Sequence, residues 1–305
     1  MDNRNGSPNR DRTLKHAWLL VIVTISARVS VADVYVEAIP ADLVVPPATQ
    51  GEPTPGTRVR QFNRGYERSD VYHLLYLPTD WQEGKTYPVI VEYAGNKYKS
   101  SMGTVEGSSL GYGISGGKGV IWVCMPFVDK KKKRNAVTWW GDIDATVAYC
   151  KSAVRRICQE YGGDPNAIIL AGFSRGAIAC NYIGLRDDEI ASLWCGFICH
   201  SHYDGVLERW PYADKDPDSA LVRLKRLGNR PQLISDGSER LVAATRTYLE
   251  EVYPSGNFTF LTGGFREHTD TWVLRDIPAR QAIRDWFHRV TGTAAKGLEV
   301  YNSVR

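Results

Sequence analysis

Four short apolar runs constrain this chain more than any other feature. Residues 71–77 (VYHLLYL), 87–93 (YPVIVEY), 119–125 (GVIWVCM) and 167–171 (AIILA) are rich in β-branched and aromatic residues. They largely lack the apolar–polar alternation of a half-exposed strand. Such runs suit strands covered on both faces, as in a largely parallel sheet. Further strands are expected at 193–198, 231–235 and 258–261. Residues 142–161 have a different period: Ile143, Val147, Cys150, Val154, Ile157 and Tyr161 fall at steps of three and four, one stripe on a helix. A last helix is marked by Asp276 as cap, Pro278 in its first turn, and Ala282, Ile283, Trp286, Phe287 and Val290 as its inner face. Strands alternating with helices read as an α/β fold, an open and mostly parallel central sheet with helices on both faces.

A chain of 305 residues, 43% apolar and 24% charged, can build one large core without a metal or disulfide staple. The alternation occupies residues 70–292. Residues 33–69, with Pro46-Pro47 and Pro53-Thr-Pro55, read as an extended N-terminal segment, and 293–305 as a C-terminal tail. Residues 1–32 read as a signal peptide: Arg4, Arg10, Arg12 and Lys15 precede the apolar run 17–25, and Ser30 and Ala32 sit ahead of a cut before Asp33. The run is short of the about 20 residues that span a bilayer. The expected location is therefore secreted or periplasmic. Residues 1–32 hold five Lys/Arg and two Asp/Glu, so their loss takes the formal charge from +4 to +1. A nearly neutral protein gives no global reason for a nucleic acid or an anionic membrane as partner. The local exception, Lys130 to Arg134, is either a solvated loop after a strand or a docking patch for an acidic polymer. The six cysteines are compatible with disulfides outside the cytosol, but none forms a CxxC pair and most lie in apolar segments, which suits buried thiols at least as well.

Chemistry is signalled most strongly by Gly172-Phe173-Ser174-Arg175-Gly176. This G-x-S-x-G follows an apolar strand and opens a helix. There a serine can sit on a sharp turn that lifts its hydroxyl clear of the sheet, provided the flanking glycines leave room. Serine needs a base. His268, in Gly263-Gly264-Phe265-Arg266-Glu267-His268 between the last expected strand and the last helix, lies where a base after the nucleophile belongs in chain order. Acyl transfer also needs donors aimed at an oxyanion. The backbone N–H of Arg175 is one, and a second is expected from Ala94, Gly95 or Asn96, after the 87–93 strand. The next stretch, 95–118, holds seven glycines and reads as a long loop walling the site.

These residues together resemble the α/β-hydrolase superfamily over residues 70–290. Tyr72-His-Leu-Leu-Tyr-Leu-Pro78 with Gly84-Lys-Thr-Tyr-Pro88, and Tyr161-Gly-Gly-Asp164, are similar to secreted esterases of the feruloyl-esterase, esterase D and polyhydroxybutyrate-depolymerase type. The resemblance implies a small-molecule or polymeric ester as substrate, an acyl-enzyme intermediate and no cofactor. It implies a small cap over 205–230, where Trp210, Pro211 and Tyr212 offer apolar walls. Trp139-Trp140 reads either as a stacking surface for a sugar or aromatic acid or as core. It also implies an acid after the 231–235 strand, in a Gly-x-x-Asp pattern that would end at Arg240. The chain departs from that pattern. Glu239, one residue earlier and one methylene longer, then Asp236, then Asp204 after the preceding strand, are the alternatives in that order.

Two other readings compete. His200-Ser-His202-Tyr-Asp204 supplies ligand types that zinc hydrolases use, without a second His/Cys cluster. The displaced acid also admits a binding protein that keeps the fold without the chemistry.

Overall fold

In a computed structural model, which describes residues 35–98, 101–207 and 209–293, the apolar runs become the strands of one sheet. The strands are β1 (Ala48–Thr49), β2 (Arg58–Gln61), β3 (His73–Tyr76), β4 (Tyr87–Tyr93), β5 (Ile121–Met125), β6 (Val128–Asp129), β7 (Arg134–Asn135), β8 (Gly163–Phe173), β9 (Gly196–His200), β10 (Gln232–Asp236) and β11 (Phe258–Thr262). The helices are α1 (Leu110–Ser115), α2 (Ile143–Tyr161), α3 (Arg175–Tyr182), α4 (Asp188–Ala191), α5 (Pro217–Leu224), α6 (Glu239–Val252) and α7 (Pro278–Thr291). Among the described residues, nine strands form one sheet in the order β1-β2-β3-β5-β4-β8-β9-β10-β11. β3 is antiparallel to both neighbours, and every pairing from β5 to β11 is parallel.

Burial on both faces follows from the pleat. On one side Val89, Val91, Val123, Leu170 and Phe197 pack under α2 and α3. On the other, Ile90, Trp122, Ile169 and Ile198 pack under α1 and α7. α2 starts where its stripe begins, with Asp142 capping the N–H of Ala145 at 2.8 Å.

Three expectations are corrected. Residues 33–69 are not merely an extended lead-in: β2 pairs with β3, Asn63 Nδ2 donates to Tyr149 O at 2.8 Å, and Asp42 pairs with Arg280 at 2.7 Å. The apolar pattern hid β2 because two of its four residues are arginines. Nor is 95–118 all loop. α1 lies there, and its glycines serve contact, since a Cβ on Gly111 would come within 2.1 Å of Trp122 and one on Gly113 within 2.3 Å of Val273. Asp276 does not cap α7; the cap position is Ile277, and Asp276 reaches Arg280 at 3.0 Å. All six cysteines are free thiols. The lysine run forms the exposed turn of the β6–β7 hairpin. The expected signal peptide, 1–32, lies outside the described residues. Among the described residues no helix is long and apolar enough to cross a membrane.

Charged residues sit inside the second core, among them Arg58 over the Trp122 ring and Glu92. Glu92 of β4 accepts the N–H groups of Ser109, Leu110 and Gly111 at 2.8–3.1 Å and the indole N–H of Trp122 at 2.7 Å. It caps α1 from within the sheet. Asp270 shares the Ser109 N–H at 3.1 Å. Two carboxyl groups this close cannot both ionise cheaply, and burial together with Glu92 pushes Asp270 up to about 8.

The folded protein therefore holds a proton on Asp270 that the unfolded chain releases near pH 4. Stability from this group is fully present below that pH and is lost as pH rises toward about 8. Asp270→Asn keeps an acceptor for Ser109 without a charge. It is expected to flatten the pH dependence of the urea midpoint between those limits, and a wild-type slope in the variant would refute the assignment.

Candidate active site

The sheet order places a site before any side chain is considered. β4 and β5 run outward in one direction and β8 onward in the other, so the crevice beyond the carboxyl ends of β4 and β8 is a topological switch point. Ser174 follows β8 and residues 94–96 follow β4.

Ser174 joins β8 to α3 with φ 55° and ψ −113°. A non-glycine residue there stores about 1–3 kcal/mol of strain. The flanking glycines are dictated by contact: a Cβ on Gly172 would lie 2.1 Å from the backbone of Gly176, and one on Gly176 would lie 1.8 Å from Tyr93 O. The N–H of Ser174 donates to His200 O at 2.8 Å, which ties the turn to the end of β9.

His268, on the loop between β11 and α7, brings its Nε2 within 2.9 Å of Ser174 Oγ. Its ring lies against Phe173 and His202, with centroids 4.7 and 5.0 Å away. Burial beside His268 pushes His202 down to about 4, which keeps it neutral at physiological pH.

The three carboxylates weighed from the sequence sit in different surroundings. Glu239 opens α6 with its side chain 64% exposed, bonded to Thr262 Oγ1 and 3.7 Å from Arg246. Its place in a first helical turn is one the helix dipole favours for an anion. Asp204 is buried in a two-pronged pair with Arg223 at 2.8 and 3.1 Å and accepts from Tyr212 at 3.1 Å. Asp236 ends β10: its Oδ1 accepts the N–H of Ser238 at 2.9 Å, and its buried Oδ2 meets no hydrogen-bond partner among the described residues. Burial pushes Asp236 up to about 6. It borders a cavity of about 10 Å³ shared with Ser201 and His202, room for one water.

Gly95 touches the nucleophile, since a Cβ there would come 3.1 Å from Phe173 and 3.3 Å from Ser174. The N–H groups of Gly95, Asn96 and Arg175 donate to no described residue, an arrangement suited to an anionic oxygen beside Ser174. Asn96 contributes a role the sequence did not suggest: its Oδ1 accepts the N–H of Trp139 at 2.7 Å.

Trp139 and Trp140 divide the two expectations between them. Trp140 is core, 5% exposed and packed on Phe127 and Tyr182. Trp139 is half-buried, 5.6 Å from Trp210 and 5.9 Å from Tyr212 by ring centroids. Trp210 in turn lies 5.4 Å from His202. An aromatic wall thus runs from the histidine pair into the segment that follows β9.

The H-x-H-x-D residues do not converge. His200 accepts the Trp272 indole N–H on Nε2 and bonds Ser235 Oγ through Nδ1, both at 3.0 Å. Thr269 O also lies 3.0 Å from Nε2. Burial pushes His200 down to about 3. His202 faces Trp210, and Asp204 belongs to Arg223. Among the described residues no three His, Cys, Asp or Glu side chains form a metal-binding group.

No family model and no curated protein matches the chain. Solved structures do. Esterase 2 of the planctomycete Thermogutta terrifontis with propionate bound is 19% identical, with 80% of this chain and 97% of that one covered and a TM-score of 0.53. The AtxE2 isopeptidase, in a variant with Astexin3-dC4 bound, is 14% identical with a TM-score of 0.52 and 79% of this chain covered. A thermostable esterase is 14% identical with a TM-score of 0.47 and 76% of this chain covered. This chain spans 41% of the length of the isopeptidase and 62% of that thermostable esterase. At these identities the likeness shows the fold, which is that of the α/β-hydrolases.

Removing Asp204 would leave Arg223 buried without its counter-charge. Asp204→Ala is expected to cost about 3–5 kcal/mol in urea unfolding, and a loss below about 1 kcal/mol would count against the pair as the tie between α5 and the end of β9.

Proposed function

We propose that this chain is a secreted serine hydrolase that cleaves carboxylic esters through an acyl-enzyme. The observation that carries the reading is the 2.9 Å contact between Ser174 Oγ on its strained turn and His268 Nε2. The resemblance to esterases in sequence, and the fold shared with solved esterases, support esters as the substrate class.

In the proposed reaction, His268 takes the hydroxyl proton on Nε2 as Ser174 Oγ attacks the ester carbonyl. The carbonyl oxygen becomes an oxyanion held by the N–H groups of Gly95, Asn96 and Arg175. Collapse breaks the bond to the alcohol, which leaves with the proton from His268. Water then gives a proton to His268 and attacks the acyl-serine; collapse releases the acid and returns the proton to Ser174 Oγ. Of the three carboxylates, we assign Asp236 to the imidazolium, because its buried Oδ2 meets no hydrogen-bond partner among the described residues. The aromatic wall of Trp139, Trp210 and Tyr212 favours a ring-bearing substrate, carbohydrate-linked or polymeric esters included.

Ser174→Ala and His268→Ala are expected to lower kcat on short-chain aryl esters about 10⁴-fold or more. A fluorophosphonate probe should label the wild type and not Ser174→Ala, and a chelator should leave turnover intact. Wild-type turnover in either variant, or no labelling of the folded protein, would overturn the reading in favour of a binding protein. Among Asp236→Asn, Asp204→Asn and Glu239→Gln, compared per folded molecule, Asp236→Asn is expected to lose the most kcat. An equal loss in Glu239→Gln would remove Asp236 from its role.

A further inference from the structure

The side chain of Arg175 has no part in the chemistry described above, yet it is only 1% exposed and among the largest fully buried side chains. A buried guanidinium is ordinarily matched by a carboxylate. Here main-chain carbonyls take that place. Nε donates to Ala94 O at 3.4 Å, and Nη2 to Gly95 O at 2.8 Å and Gly103 O at 3.2 Å. Nη1 donates to Ala136 O at 3.3 Å and to Trp139 O. The ring of Phe127 covers one face, its centroid 4.0 Å from Cζ. Burial pushes the group down to about 9, so it remains cationic at neutral pH.

These acceptors come from three separate stretches: residues 94–95 after β4, Gly103, and 136–139 between β7 and α2. In a trans peptide the C=O and N–H point in opposite directions. With Ala94 O and Gly95 O drawn onto the guanidinium, the N–H groups of Gly95 and Asn96 must turn away from it. Gly95 lies against Phe173 and Ser174, so the donors turned away from the guanidinium border the nucleophile. The same guanidinium holds Trp139 O, and Trp139 N–H is held by Asn96 Oδ1. Lysine has neither the planar fork nor the five donors to make this set.

We propose that the Arg175 side chain is the positioning residue of the oxyanion site: by gathering the carbonyls of Ala94, Gly95 and Trp139 it aims two amide donors at Ser174 and fixes the aromatic wall beside them. This rests on the serine-hydrolase reading, and the test separates the two. Wild type, Arg175→Met and Arg175→Lys are compared after titrating active sites to completion with fluorophosphonate. Labelled wild type with unlabelled Ser174→Ala upholds the hydrolase reading independently of Arg175.

Arg175→Met is expected to lose about 10²–10³-fold in kcat per titrated site, the scale of one oxyanion donor, with KM within threefold. Its affinity for a trifluoromethyl ketone, whose adduct carries the oxyanion, should weaken by the same factor. Arg175→Lys should fall between Arg175→Met and the wild type, and it carries the test alone if Arg175→Met does not fold. A merely structural arginine would lower the titre and the melting temperature but leave kcat per site and ketone affinity at wild-type values. That result in Arg175→Lys, or in folded Arg175→Met, overturns the proposal.

Discussion

The junction of β4, β8 and α3 is a place where backbone meets backbone with no room between. Gly176 lies so close to Tyr93 O, and Gly172 so close to Gly176, that neither position tolerates a Cβ. That contact packs the start of α3 against the ends of two adjacent parallel strands. The connecting residue is thereby left in a conformation that a non-glycine side chain rarely adopts. What is proposed for Ser174 builds on it: the hydroxyl is presented at the turn, within 2.9 Å of His268 Nε2.

Around this junction the molecule buries several charged side chains, and main-chain groups answer Glu92 and Arg175. Glu92 is met by the first amides of α1, and Arg175 by carbonyls from three stretches. Asp204 and Arg223 meet each other as side chains, but Arg223 also donates to Asp214 O at 2.7 Å. An ion held by backbone dipoles fixes the path of the chain as well as its own charge, because moving the loop would leave the ion unsolvated. The loops that shape the site are thus tied to the core by electrostatics where apolar contact is thin.

Much of the fold was legible in sequence, because strand burial on two faces and helix burial on one leave periods that a single chain displays. β4 matches its expected bounds, and α2 starts one residue inside its own. The G-x-S-x-G motif was legible for a related reason: its glycines record a local steric demand. β2 and α1 were not, since Arg58 and the glycines of 110–115 are buried through contacts with distant residues. The acid was the least legible part of the site. A carboxylate's role depends on which cation or amide it meets, and Glu239 and Asp204 meet Thr262, Arg246 and Arg223.

By itself, then, the sequence determined the layered α/β architecture, the turn that carries Ser174, and the stretch from which an imidazole would come. All of these are encoded over a few neighbouring residues by period, volume and backbone freedom. Tertiary structure alone decided that His268, 94 positions away, comes within 2.9 Å of that serine, that Trp139 borders the site while Trp140 fills the core, and that the arginine after the nucleophile turns inward to collect carbonyls. Those outcomes depend on which surfaces meet when the sheet closes its two cores, and no local period records them.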